Sequence, residues 1–362
     1  MKPESQGSKI DALSRFSLWS TVLLLTCSID PKYMGDIFRL GKVRAVIALA
    51  CVPMFLYVKK NIHWSVGALL CFGVFYWIAN DFHIYSVMHL VGMTSCIFVS
   101  IFLYRFPKEA VAKAFVWIAA AQATYGILQI FNIQLLYDVP EPWFWNTPLA
   151  LMGQHTVLGG FLAACLAPAL WFSMWVPALL ITVCTLFTGS SMAYASLWVV
   201  LTLFTAHKFG IKHAVGMQLK LLVFIAGVLV FWHSPELTNP HERLILWGKA
   251  MEAWSLNPIL GGGPGFWSGD WQPNNFPIIG TNRPDNLHAE WATLLVEYGI
   301  AGLCIVTCGI IDFFSKFRLT WHHAICCAIL VNALANFPFH IVPHSVLFLW
   351  CFGLSMERYG KS

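Results

Sequence analysis

Arg243 and His288 are the residues of this 362-residue chain best suited to chemistry on an anionic substrate. Both belong to one polar stretch, His241 to Gly302, in a chain otherwise made of apolar runs. A guanidinium is planar and permanently charged, and it clamps phosphate oxygens through paired hydrogen bonds. An imidazole can take a proton from an attacking hydroxyl. An arginine and a histidine at the edge of a membrane suggest chemistry on an anionic, lipid-linked substrate. Either residue could equally be structural, a snorkelling arginine and a hydrogen-bonded histidine.

The spacing within the stretch predicts how these residues are held. Leu244, Trp247, Met251 and Trp254 recur at helical intervals, so 241–255 is expected to be an interfacial helix with that stripe as its apolar face. Arg243, Lys249 and Glu252 lie off the stripe. Asn257-Pro258 ends the helix, because proline disfavours helical backbone in the residue before it. Gly261-Gly262-Gly263-Pro264-Gly265 lacks the Lys-Ser/Thr of a nucleotide-binding loop and predicts a tight turn. Asp285 and Asn286 are expected to cap the next helix, which puts His288 in its first turn. The positive helix end there favours a neutral imidazole, while Asp285 and Glu290 pull the other way. Arg283, Asp285, Glu290 and Lys249 are the secondary candidates for substrate contact.

The elements that must position these residues are membrane spans. The chain is 58% hydrophobic and 11% charged, far below the roughly one-quarter charged residues of soluble domains. About twelve apolar runs read as membrane spans, of which the first and seventh are short, so that eleven is the alternative count. They lie near 16–29, 43–58, 63–80, 84–104, 110–133, 154–173, 174–188, 191–207, 217–233, 289–312, 320–337 and 341–356. The expected architecture is one all-α integral membrane domain over 1–362, with a large loop, 234–288, between the ninth and tenth spans. Lysine and arginine gather in alternate connections, at 59–60, 105–113, 208–220, 316–318 and 358–361. By the positive-inside tendency these face the cytoplasm and loop 234–288 faces out.

Lys32, Arg39, Lys42 and Arg44 break the alternation. They mark either a miscounted first span or a basic outer rim, with Arg39 and Lys42 drawing a lipid phosphate. The N-terminal segment is polar and precedes a span with no small-residue cleavage site, so no removed signal peptide is expected. The eleven cysteines form no CxxC pair and there is no zinc-type histidine spacing, so no disulfide framework and no metal are expected. A net charge of +5, dispersed along the chain, gives no nucleic-acid surface.

Taken together, several features resemble the O-antigen ligase and O-antigen polymerase superfamily of bacterial inner membranes. They are the outward loop, the Arg243-x-x-x-Trp247 helix, Asn257-Pro258 with its glycine turn, His288-x-Glu290, and Glu297-Tyr-Gly-Ile-Ala-Gly-Leu303. Gly153–Leu162 and Thr188-Gly-Ser-Ser-Met192 are similar to the family's middle segments. Met192 stands where the family often has arginine, and Ala289 where it has asparagine. The resemblance implies a GT-C-like glycosyltransferase that uses neither nucleotide sugar, metal nor other cofactor. It implies a glycan donor on undecaprenyl pyrophosphate and, as acceptor, a lipid A–core sugar, a growing glycan or a protein hydroxyl. It further implies Arg243 on the pyrophosphate, His288 as general base, and a site facing the periplasm. One dominant outer loop favours ligase over polymerase. A transporter or flippase is the reading from another class, but the sequence lacks the related halves that it would need. The topology predicts that a reporter active only outside the cytoplasm is active when inserted after Asn275 and silent when fused after Ser362.

Overall fold

The structure is a computed structural model that describes residues 84–133, 147–212, 214, 240–267, 271 and 287–356. The expected spans near 16–29, 43–58, 63–80 and 217–233 lie outside the described residues, as do Arg39, Lys42, Arg283 and Asp285. Among the described residues the fold is all-helical, with nine α-helices and no strand. They are α1 (Ile84–Leu103), α2 (Lys108–Ile130), α3 (His155–Trp171), α4 (Trp175–Phe187), α5 (Ser191–Phe209), α6 (Pro240–Ser255), α7 (Glu290–Ser315), α8 (Trp321–Ala333) and α9 (Val342–Met356). Of these, α2 and α7 are long and apolar enough to cross a membrane, while α3, α4, α8 and α9 are shorter apolar helices.

Helix α3 is the centre of the main core. Every residue from Thr156 to Leu170 is buried, and α2, α4, α5 and α8 pack around it. Hydroxyls stitch neighbouring helices by donating to main-chain carbonyls. Ser196 donates to Ala328 at 2.8 Å, Ser100 to Val346 at 3.1 Å and Tyr104 to Trp350 at 2.9 Å. Each such bond adds a specific tie between otherwise apolar helix faces. Two glutamines of α2 fix the segment that leads into α3. Gln129 Oε1 accepts from Leu149 and Ala150 N–H, at 3.0 and 2.7 Å, and Gln122 Oε1 accepts from Leu151 N–H at 2.9 Å.

Helix α7 is broken. Gly299 has φ 62° and ψ −164°, which separates an N-terminal half from a C-terminal half. A continuous helix would bond the Ile300 and Ala301 amides to the Val296 and Glu297 carbonyls. Instead the turn after α6 takes up all four groups. Ile300 N–H donates to Pro258 and Ala301 N–H to Ile259, both at 3.0 Å, while Gly262 and Gly263 N–H donate to Val296 and Glu297, both at 2.8 Å. The two segments touch backbone to backbone. A Cβ on Gly261 would stand 2.4 Å from the Glu297 carbonyl carbon, and one on Gly299 would stand 2.3 Å from the Ile259 oxygen. Both glycines also have positive φ, at 77° and 62°.

A second, smaller core forms around this junction. Leu246, Ala250 and Ala253 of α6 pack with Trp267, Trp271, Leu287, Ala289, Ala292 and Val296. The buried face of α6 is therefore centred on these three residues, with Trp247 and Trp254 of the expected stripe packed at its margin. Leu244 is 62% exposed, and the small side chains of Ala250 and Ala253 allow the closest approach to α7. Helix α8 ends at Ala333, short of the expected 337, because Pro338 excludes helical backbone at Phe337.

Replacing Gly299 or Gly261 with alanine is expected to destabilise the protein by about 2–4 kcal/mol or to prevent folding. Gly248→Ala, which meets nothing within 4 Å in helix α6, should be neutral or stabilising by up to about 1 kcal/mol. Thermal unfolding of the three purified variants measures the contrast.

Candidate functional site

The N-terminal half of α7 begins at Glu290, with Ala289 at the N-cap and no side-chain cap. The caps expected from Asp285 and Asn286 are thus replaced, and His288 precedes the helix instead of lying in its first turn. Its backbone is left-handed, with φ 50°. Histidine tolerates that region better than most residues, yet such a conformation persists only where its surroundings fix it.

Three contacts provide that support. First, Trp247 of α6 donates its indole N–H to the Leu287 carbonyl at 3.1 Å, which pins the residue before His288. The Trp247 ring also meets Trp291 edge to face, with centroids 5.4 Å apart. Second, Trp291 donates to the Leu334 carbonyl at 3.1 Å, which fastens α7 to the end of α8. Third, the His288 ring stands edge to face on Phe337, centroids 5.1 Å apart. The histidine is half-buried.

Glu290 is drawn to the connection between α8 and α9. Its Oε1 accepts from Phe339 N–H at 2.6 Å, and its carboxylate lies 3.2 Å from His340 Nδ1. Ser345 donates to the Phe339 carbonyl at 2.7 Å, which steadies the same turn. A carboxylate in the first turn of a helix is also favoured by the exposed amides there. The structure thus brings together His288, Glu290, Phe337 and His340 at one end of the bundle.

Arg243 belongs to α6, four residues before Trp247. At the helical rise its backbone is about 6 Å further along the axis. Its side chain lies outside the described residues. Lys249 is turned to another task, an ion pair with Glu252 at 2.7 Å on the surface of the same helix.

Next to Phe337 opens a cleft that the sequence pattern did not single out. Thr156 of α3, Asn332 of α8, Asn336, Phe337 and His344 of α9 line it. Asn332 and Asn336 are buried, 2% and 4% exposed, and Asn336 lies one helical turn beyond Asn332, to whose carbonyl its amide donates. The available signal was two asparagines four apart in an apolar segment, since polar side chains within spans are rarely idle. His344 meets Phe161 edge to face at 5.8 Å. Among the described residues no group of three or more histidine, cysteine or acidic side chains is arranged to hold a metal ion.

No protein-family model matches the chain, and no curated protein matches it.

The Glu290 contacts predict a graded result. Glu290→Ala should leave the Phe339 amide without its acceptor and raise its hydrogen-exchange rate by at least about tenfold, equivalent to the ~1.4 kcal/mol expected of a charge-assisted bond. Glu290→Gln keeps a carbonyl oxygen there and should show a smaller increase. Exchange at Phe339, read by mass spectrometry of the intact protein, provides the measurement.

Proposed function

We propose that this chain is an integral membrane glycosyltransferase, in a bundle of about twelve spans, that moves a glycan from undecaprenyl pyrophosphate to an acceptor hydroxyl outside the cytoplasm. The observation that carries this reading is the position of His288. It sits half-buried where the chain joins the N-terminal half of α7, held by an indole of the Arg243-bearing helix on one side and by Phe337 on the other. A base and a permanent cation on two mutually packed elements can share one substrate.

The reaction needs little else. The acceptor oxygen attacks the anomeric carbon as the bond to the pyrophosphate oxygen breaks. The hydroxyl proton passes to the His288 imidazole. Negative charge developing on the departing pyrophosphate is stabilised by Arg243, carried on α6. Attack opposite the leaving group inverts the anomeric centre. Glu290 and His340 position the mouth of the site by tying α7 to the α8–α9 turn.

A membrane setting is supported by the surface of α7, where Ile300, Ile311 and Phe314 are 45–62% exposed. Such apolar exposure suits hydrocarbon better than water. The residues of 243–303 support the ligase and polymerase superfamily as the class, and the single large outer loop favours transfer to a lipid A–core sugar. A broken helix also serves ion-coupled carriers, whose freed carbonyls bind cations. Here the freed carbonyls of Val296 and Glu297 already accept from Gly262 and Gly263, which favours the transferase.

The test is transfer by purified protein in detergent, with no gradient, from an undecaprenyl-pyrophosphate glycan to lipid A–core, free polysaccharide and pilin supplied in parallel. Arg243→Ala and His288→Ala should each lower turnover by at least about a hundredfold while leaving the protein folded. Arg243→Lys should recover only part, since an ammonium lacks the planar fork. Near-normal turnover in both alanine variants would refute the assignment.

A further inference from the structure

We infer that the turn between α3 and α4 is a docking surface for an anionic phospholipid, with Lys113 and Lys208 drawing its headgroup and the exposed face of α4 taking its acyl chains. The turn is short, since Trp171 ends α3 and Trp175 begins α4. It carries an ammonium group on each of two rings. Lys113 Nζ of α2 stands 5.6 Å from the Phe172 centroid, and Lys208 Nζ of α5 stands 5.6 Å from that of Trp175. Phe204 and Phe209 also lie 5.8 and 5.5 Å from Lys208 Nζ. Ring faces orient an ammonium group but leave its charge in place. The turn itself is fixed to the bundle, because Trp171 stacks on His207 at 5.3 Å and Phe172 meets Trp321 of α8 at 5.8 Å.

The charge here is uncompensated. Lys113 pairs with Glu109 on the surface of α2, and an ion pair so exposed contributes little and gives way easily to another anion. Glu109 is the one carboxylate in the segments 105–113, 171–175 and 207–212, which also hold Arg105, Lys108 and Lys212. A basic patch alone would suit any anion; the surface beside it selects a lipid. Trp175, Val176 and Leu179 of α4 are 56–68% exposed, and Ile211, beyond the end of α5, is 70% exposed. Residues 175, 176 and 179 share one side of the helix. Cations, interfacial tryptophans and a bare aliphatic face in succession match a molecule with a phosphate head and hydrocarbon tails. A soluble anion would gain nothing from the aliphatic part. The inference rests on the membrane setting proposed above and not on glycan transfer.

The experiment uses the full chain in detergent, offered an equimolar mixture of phosphatidylglycerol and phosphatidylcholine with the same acyl chains, and reads retained lipid by native mass spectrometry. Wild type should retain phosphatidylglycerol in at least about tenfold preference, as expected of several lysines at a lipid surface. Lys208→Gln should lower that preference about fivefold, and Lys113→Gln combined with it should abolish the preference. Lys208→Arg, which keeps the charge, should retain it, as should Lys249→Gln on α6. Glycerol phosphate, a head without tails, should displace no lipid at millimolar concentration. Thermal unfolding in phosphatidylcholine nanodiscs should be alike for all variants, which separates lost binding from lost folding. Equal retention of the two lipids by wild type, or an undiminished preference in the double variant, would overturn the inference. Displacement by glycerol phosphate would overturn it too, by making this a site for soluble anions. A chain that enters no nanodisc would remove the membrane setting and the lipid site together. Lysine-dependent preference in a protein that transfers no glycan would refute the transferase and leave the lipid site standing.

Discussion

Four main-chain hydrogen bonds between the glycine turn and the break in α7 are the constraint on which the second core and the candidate site depend. A helix interrupted at Gly299 leaves two amides and two carbonyls without their usual partners. In an apolar setting each such group costs several kcal/mol. The turn repays all four in one place, giving two N–H groups and receiving two. That exchange requires the backbones to meet with nothing between them, which is why glycine stands on both sides of the junction, at 261 and at 299. The second core then closes over it, with alanines at the helix contact and tryptophans around the rim.

The features of the site follow from that junction. With the N-terminal half of α7 anchored at its Gly299 end by the turn, its N-terminus needs only lateral support, and two indoles provide it. Trp247 ties it to α6 through Leu287, and Trp291 ties it to α8 through Leu334. His288 is left between these ties in a backbone conformation that few side chains adopt readily. Glu290 extends the same support to the α8–α9 turn. A histidine so held has little freedom left to lose, which is the preorganisation that the proposed proton transfer would reward.

Helix positions were readable from the chain because apolar runs bounded by charges or turn residues leave few alternatives. The run at 84–104 corresponds to Ile84–Leu103, that at 174–188 to Trp175–Phe187, and that at 341–356 to Val342–Met356. What failed depended on contacts distant in sequence. The stripe through Leu244 and Trp247 ranks side chains by size, whereas the buried face of α6 was decided by how closely Ala250 and Ala253 let it approach α7. Asp285 and Asn286 look like caps locally, but the helix starts later, where Glu290 finds acceptor duty at Phe339. Gly299 looks like a tolerated glycine inside a span, and only the partner turn reveals a break. The asparagine cleft assembles from α3, α8 and α9, so no window of sequence contains it.

The junction also dictates where the chain can grow or shrink. Donors and acceptors at 258, 259, 262 and 263 meet those at 300, 301, 296 and 297 in a fixed order. A single inserted or deleted residue inside either segment would slide every pair out of match at once. Length variation among descendants of this chain should therefore spare both segments, and with them Trp267, Trp271 and the residues from Leu287 to Val296 that close the second core over the clasp.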